Sequence, residues 1–180
     1  DEVQTGGGMT GKPWAWQHLE VTPDVISFGK KFHVCGITAG GRLDEVEGHV
    51  FQTSSRINST WGGNLTDMVR SRRIMEIIEA ENLMQNAATV GAHLLGRLQE
   101  LADKHEIVGN PRGLGLMCAI TLSNGEVRDD VINRLMSDEK IVILGCGERS
   151  LRVRPPLTVD VATIDRAVDA IDRVISSIEK

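Results

Sequence analysis

The sequence predicts an α/β protein in two parts: a strand-and-loop segment over residues 1–64 and an α+β unit over 65–180. Two patterns carry this. Short apolar pieces set among glycines and turn residues dominate the first part, and long runs of apolar residues at three- and four-residue spacing begin near Leu65 and return at the C-terminus. At 180 residues, 41% hydrophobic and 25% charged, the chain has the composition of a protein that buries a core.

Within the first part, Val25-Ile26-Ser27-Phe28 reads as a strand between turns. Leu65, Met68, Val69, Ile74, Ile77 and Ile78 predict one amphipathic helix, with a joint at Ala80-Glu81-Asn82. A second helix follows from Leu83, Ala87, Val90, Leu94, Leu98 and Leu101 and ends near Lys104-His105, where cations suit the negative end of the helix dipole. Gly91 and Gly96 weaken it, each by about 1 kcal/mol relative to alanine. Leu114 to Leu122 reads as one buried strand entering the turn Ser123-Asn124-Gly125, and Val127 to Met136 as a helix. Ile141–Leu144 and Leu151–Arg154 predict a hairpin that Pro155-Pro156 stops. The last helix carries Ile164, Ala167, Val168, Ile171, Val174, Ile175 and Ile178 on one face, with Asp160 or Thr163 as its N-cap. Residues 1–64 hold strands without the neighbours that would close a core, and the chain opens straight into Asp-Glu-Val-Gln, so it is expected to be part of a longer polypeptide.

A net charge of -5 offers no basic patch for nucleic acid or an anionic membrane. No run approaches the about 18 apolar residues that a membrane span requires. Cys35, Cys118 and Cys146 are odd in number and widely spaced, which fits neither a zinc site nor a disulfide framework and points to reduced thiols in a cytoplasm.

Residue by residue, the polar positions are ambiguous. Lys30-Lys31 alone reads as a solvated pair, Asn58-Ser59-Thr60 as a turn, and Arg152 and Arg154 as charges alternating along a strand. His33 and His49 have no visible partner, and Cys35 reads as a small buried residue.

Motifs in register resolve the ambiguity. Asp1-Glu2-Val3-Gln4-Thr5-Gly6 with Gly8-Met9-Thr10-Gly11, followed by Pro23-Asp24-Val25-Ile26-Ser27-Phe28-Gly29-Lys30, resembles the signature of the class III aminotransferases, which use pyridoxal 5'-phosphate. Asn58-Ser59-Thr60-Trp61-Gly62-Gly63-Asn64, Arg112-Gly113-Leu114-Gly115-Leu116-Met117 and Arg152 with Pro155-Pro156-Leu157 extend the match through the chain. Most of the family follow the lysine with a glycine-rich stretch. Here it is Lys31-Phe32-His33-Val34-Cys35-Gly36, and this variant is similar to the lysine 6-aminotransferase branch, which moves the ε-amino group of L-lysine to 2-oxoglutarate. Met9 stands where most relatives have arginine, which argues against the commoner branches without selecting one.

The resemblance implies a fold-type I architecture, with residues 1–64 a remnant of the large cofactor-binding domain and 65–180 the C-terminal small domain. It implies Asp1 against the pyridinium nitrogen, Val3 on the ring face, Gln4 at the phenolic oxygen and near the substrate, and Lys30 as the Schiff-base lysine and proton shuttle. Ser59 and Thr60 would donate to the cofactor phosphate across the interface of a homodimer, and no metal is expected. Strand alternation puts Arg152 and Arg154 on one face and cannot choose between them; the family pattern assigns the substrate carboxylate to Arg152 and leaves Arg154 to packing or a salt bridge. The alternatives are another ω-aminotransferase of the family, acting on ornithine, acetylornithine or 4-aminobutyrate, or a non-catalytic fragment or dimerisation module. The family's phosphate cup, stacking aromatic and distal-carboxylate arginine lie upstream of Asp1, so these 180 residues alone are expected to be inactive and to bind the cofactor weakly or not at all.

Overall fold

A computed structural model describes residues 1–57 and 60–179. Among these residues, contacts divide the chain into two compact units, Asp1–Met84 and Gln85–Lys180.

In the first unit, β1 (Val25–Phe28) and β2 (Gly36–Ala39) form an antiparallel hairpin, with Val25 opposite Ala39 and Phe28 opposite Gly36. A single 3-10 turn, Lys30–Phe32, lies between the strands. Trp14, Phe28 and Phe32 pack round this turn: Trp14 stacks on Phe32 at 5.4 Å, and Phe28 meets Phe32 edge-on at 5.6 Å. α1 (Leu65–Ala80) also packs against the Lys30–Phe32 turn, which places the helix in the first unit. Asn64 caps it by accepting from the Asp67 N–H at 3.1 Å. Its predicted apolar stripe is only partly used. Ile78 is buried, whereas Leu65 and Val69 are 77% and 70% exposed, because no described residue of the unit covers them. Glu81 closes α1 and Asn82, at φ 53°, turns the chain into α2 (Leu83–Lys104), as the joint predicted.

The second unit is built on a four-stranded antiparallel sheet in the order β3-β4-β6-β5. The predicted single strand from Leu114 to Leu122 is instead a hairpin of β3 (Val108–Leu114) and β4 (Met117–Leu122). Pro111 lacks an N–H and would break a regular ladder. It is accommodated at a register shift between Gly109 and Arg112, where Asn110 adopts φ 49°. Gly91 on α2 has its reason here: a Cβ would lie 2.1 Å from the Gly115 backbone, so the glycine lets the helix meet the hairpin turn.

α3 (Gly125–Ser137), capped by Asn124, crosses to β5 (Leu144–Cys146), which pairs with β6 (Ser150–Val153). The β5 strand is shorter than predicted, for Ile141–Ile143 are outside the ladder. α4 (Val161–Ile178) starts at Asp160, whose side chain accepts from the Thr163 N–H at 2.7 Å. Ile164, Val168, Ile171, Val174 and Ile175 are buried on α4, as are Leu94, Leu98 and Leu101 on α2 and Ile120, Leu122 and Leu151 on the sheet. Asn86 on α2 donates to the carbonyls of Leu157 and Val159 at 2.7 and 2.9 Å, fixing the chain after the double proline. Among the described residues no helix is long and apolar enough to cross a membrane.

Candidate cofactor site

Four of the residues assigned by the motif, Asp1, Val3, Gln4 and Lys30, meet in the first unit. The Glu2 N–H donates to the Ser27 carbonyl at 2.9 Å, laying the N-terminal segment along the end of β1. Asp1 then accepts from the Val3 N–H at 2.8 Å and the Ser27 hydroxyl at 3.3 Å, which hold its exposed carboxylate in one orientation. Lys31 donates from Nζ to the Gln4 carbonyl at 2.7 Å, so Gln4 is strapped to the turn that carries Lys30.

Lys30 is exposed and has φ 51°, a left-handed conformation uncommon for a residue with a side chain. The tight turn imposes it: the His33 N–H reaches back to the Lys30 carbonyl at 2.9 Å, and His33 is left-handed as well. At Gly29, a Cβ would come within 2.9 Å of Cys35 Sγ and 3.8 Å of Val3 Cγ1, so a side chain there would crowd the space between Val3 and the turn. An exposed amine, an oriented carboxylate and an aliphatic side chain beside a bare glycine suit a flat aromatic aldehyde with a basic ring nitrogen.

Sequence reasoning missed two residues of this assembly. Glu2 is buried and accepts from the Ala15 and Trp16 N–H groups at 3.1 and 2.8 Å and from the Thr5 hydroxyl, tying the glycine-rich segment to the turn beyond it. Lys31, read as half of a solvated pair, is the strap on Gln4. Only the presence of a carboxylate and an amine beside the motif residues signalled either one. Cys35 is exposed, not buried as expected.

Thr60 is exposed ahead of α1, and Ser59 and Asn58 lie outside the described residues. Arg152 belongs to the second unit, on β6, where it is opposite Ala119 of β4 and Leu144 of β5. Together with Arg154 it lines a cavity of about 520 Å³. Among the described residues no cluster of His, Cys, Asp or Glu is arranged to hold a metal ion.

The sequence model of the family described as Aminotransferase class-III matches residues 1–175. The chain belongs to this family. An L-lysine-epsilon aminotransferase of Mycobacterium tuberculosis is 54% identical over 172 residues, 95% of this chain and 38% of the relative. Its counterpart from Amycolatopsis lactamdurans is 48% identical over 178 residues, 98% of this chain and 40% of the relative. A solved lysine aminotransferase from M. tuberculosis, in the internal aldimine form, superposes with a TM-score of 0.92 at 51% identity, covering 99% of this chain and 41% of that one. This class III chain therefore has the fold-type I architecture over the portion it spans, about two fifths of the length of these relatives.

Proposed function

We propose that the full-length protein transfers the ε-amino group of L-lysine to 2-oxoglutarate, giving glutamate and 2-aminoadipate semialdehyde, with pyridoxal 5'-phosphate as cofactor. The observation that carries this reading is the convergence of Asp1 and Lys30 at one end of β1, in a chain 54% identical to an L-lysine-epsilon aminotransferase. When bound, the cofactor supplies an aldehyde that takes up the amino group and a ring that withdraws electrons from the neighbouring carbon.

The chain's own residues do the rest. Asp1 holds the proton on the ring nitrogen, with its charge fixed by the Val3 N–H and the Ser27 hydroxyl. Val3 covers one ring face. Gln4, held through its carbonyl by Lys31, meets the phenolic oxygen. Lys30 Nζ would hold the cofactor's aldehyde carbon and carry the proton to and from the reacting carbon of the substrate. Arg152 offers a planar fork of donors to a substrate carboxylate. Ser59 and Thr60 donate to the cofactor phosphate of a second subunit, which makes the working form a homodimer. Three free thiols accord with a cytoplasmic location.

The test is glutamate formation by the full-length protein from L-lysine and 2-oxoglutarate, and its abolition by Lys30→Ala. Turnover of ornithine or 4-aminobutyrate but not lysine would move the donor elsewhere in the family; no amino transfer to 2-oxoglutarate from any amine would end the reading. The 180-residue chain alone is expected to bind the cofactor weakly or not at all, and a tight, borohydride-reducible adduct would contradict that.

A further inference from the structure

Lys30 stands at φ 51°, a left-handed conformation that a residue with a side chain keeps only where its surroundings impose it. The Lys30–Phe32 turn is fastened to the N-terminal segment at two points. Phe32 packs on Trp14 with ring centroids 5.4 Å apart, a contact made by burial, which tolerates sliding. Lys31 makes the other, and it is directional: Nζ donates to the Gln4 carbonyl at 2.7 Å, across 27 positions of chain.

The glycine-rich segment leaves a path for this side chain. A Cβ on Gly7 would lie 3.5 Å from Lys31 Cε and 3.4 Å from Phe32 Cζ, so the stem of Lys31 runs beside the bare backbone of Gly7 on its way to Gln4. Gly6 and Gly7 are buried, and their N–H groups donate to the carbonyls of Glu2 and Pro13 at 2.8 and 2.9 Å, which holds that backbone in place. An ammonium on a carbonyl is a charge-assisted hydrogen bond, about twice as strong as a neutral one. Lys12 is the contrast within the same segment: it is exposed, and its Nζ bonds to the Gln17 carbonyl at 2.9 Å, only five positions away.

Gln4 and Lys30 are the residues assigned above to the cofactor's phenolic oxygen and aldehyde carbon. Lys30 must let go of that carbon whenever an amine substrate takes its place, and its Nζ must then stay within reach to move a proton. While it is detached no covalent bond holds its turn, and the Lys31 strap does. We infer that Lys31 is a positioning residue for the proposed reaction: it locks the turn of Lys30 to the segment of Gln4, so that the freed amine stays aimed at the reacting carbon. This inference rests on the aminotransferase reading and adds to it the residue that keeps the proton shuttle in place.

Kinetics and amide hydrogen exchange on the full-length protein provide the test. Lys31→Met should lower kcat with L-lysine about tenfold or more and leave KM within about twofold, because substrate binding does not pass through the strap. In the same variant without cofactor, peptides carrying the amides of Gly6, Gly7, Phe32 and His33 should exchange faster together, and those of β4 should not. Lys31→Arg should restore both readouts, and Lys12→Met should alter neither. A fall in kcat with exchange unchanged would show that Lys31 acts through its charge and not by position. Faster exchange with kcat unchanged would show a strap that serves stability alone, and a rise in KM in place of the fall in kcat would show a binding residue; each of these, like no change in either readout, overturns the inference. Should Lys31→Met fail to fold, Lys31→Gln, which keeps a donor of shorter reach, decides by the same pair of readouts. If the wild-type protein forms no glutamate from L-lysine, the aminotransferase reading falls and this inference falls with it; if it does and Lys31→Met matches it, only Lys31 is lost.

Discussion

The two units use their sequence in opposite ways. In the second, apolar side chains on α2, α4 and the sheet close a core in which Leu94, Ile120, Leu151 and Ile175 have no exposed surface. In the first, the fold around Lys30 is held by backbone-directed polar contacts from Glu2, Lys31 and Asp1, by an aromatic trio and by glycines, and its reactive groups remain exposed. Hydrophobic burial is non-directional and supplies stability. Hydrogen bonds are directional and fix where an amine and a carboxylate lie, which is what chemistry on a planar ring requires.

The sharpest break in that comparison is at Asp1. Asp1→Ala removes the charge proposed to hold the ring nitrogen's proton and leaves the second unit untouched. Activity of the full-length protein should fall by about 100-fold or more, the scale of losing one preorganised electrostatic group, while the midpoint of thermal unfolding hardly moves. A loss of activity matched by a loss of stability would show that Asp1 only fastens the N-terminal segment to Ser27.

The reverse holds for Leu94→Ala in the core. Truncating a fully buried leucine costs about 2–5 kcal/mol, to be read from urea unfolding followed by a probe in the second unit. Leu65→Ala and Val69→Ala, on the exposed start of α1, should stay within about 0.5 kcal/mol in the 180-residue chain. A large loss at either would mean that this face is covered.

Gly91 and Gly96 sharpen the comparison within one helix. Both are interior to α2, and propensity alone predicts that alanine stabilises each by about 1 kcal/mol. Gly96 has nothing within 4 Å of a new Cβ, so Gly96→Ala should show that gain. At Gly91 the methyl would strike the Gly115 backbone, which cannot swing away as a side chain can, so Gly91→Ala should lose about 1–3 kcal/mol. Opposite signs in one denaturation series are the expected result.

These contrasts explain what the sequence revealed. α4 was legible because its period is long and its buried face uninterrupted: Ile164, Val168, Ile171, Val174 and Ile175 all face the core. The β3–β4 hairpin was not, because Pro111, Gly113 and Gly115 look like a stop until a register shift and a left-handed Asn110 show how a strand passes through them. The division of the chain depends on packing, which periodicity cannot see: α1 begins the helical pattern yet packs on the Lys30 turn. In the site, nothing physical about Lys30 or Asp1 by itself marks it out. Their spacing within the two motifs singles them out as candidates, whereas the contacts of Glu2 and Lys31 depend on folded geometry that spacing does not show.

The smallest effect concerns how α2 and α4 are clamped. Arg97 pairs with Asp165 and Asp169, Lys104 pairs with Asp172 at 2.6 Å, and buried His105 sets one ring nitrogen against Asp172 and the other against Glu179, each at 2.6 Å. Both nitrogens can donate only when the ring is protonated. Desolvation opposes that charge, but the hydrogen bonds and attraction of the two carboxylates outweigh it and raise the His105 pKa above its ordinary 6.5. A group whose pKa is raised by folding contributes stability that is complete below the unfolded value and disappears as pH climbs through the folded one. His105→Gln should therefore destabilise the chain more at pH 6 than at pH 9, with the change in the gap beginning above pH 6.5. A gap of constant size across that range would show that His105 acts through its shape and neutral hydrogen bonds, and that the clamp owes its strength to the lysine and arginine pairs alone.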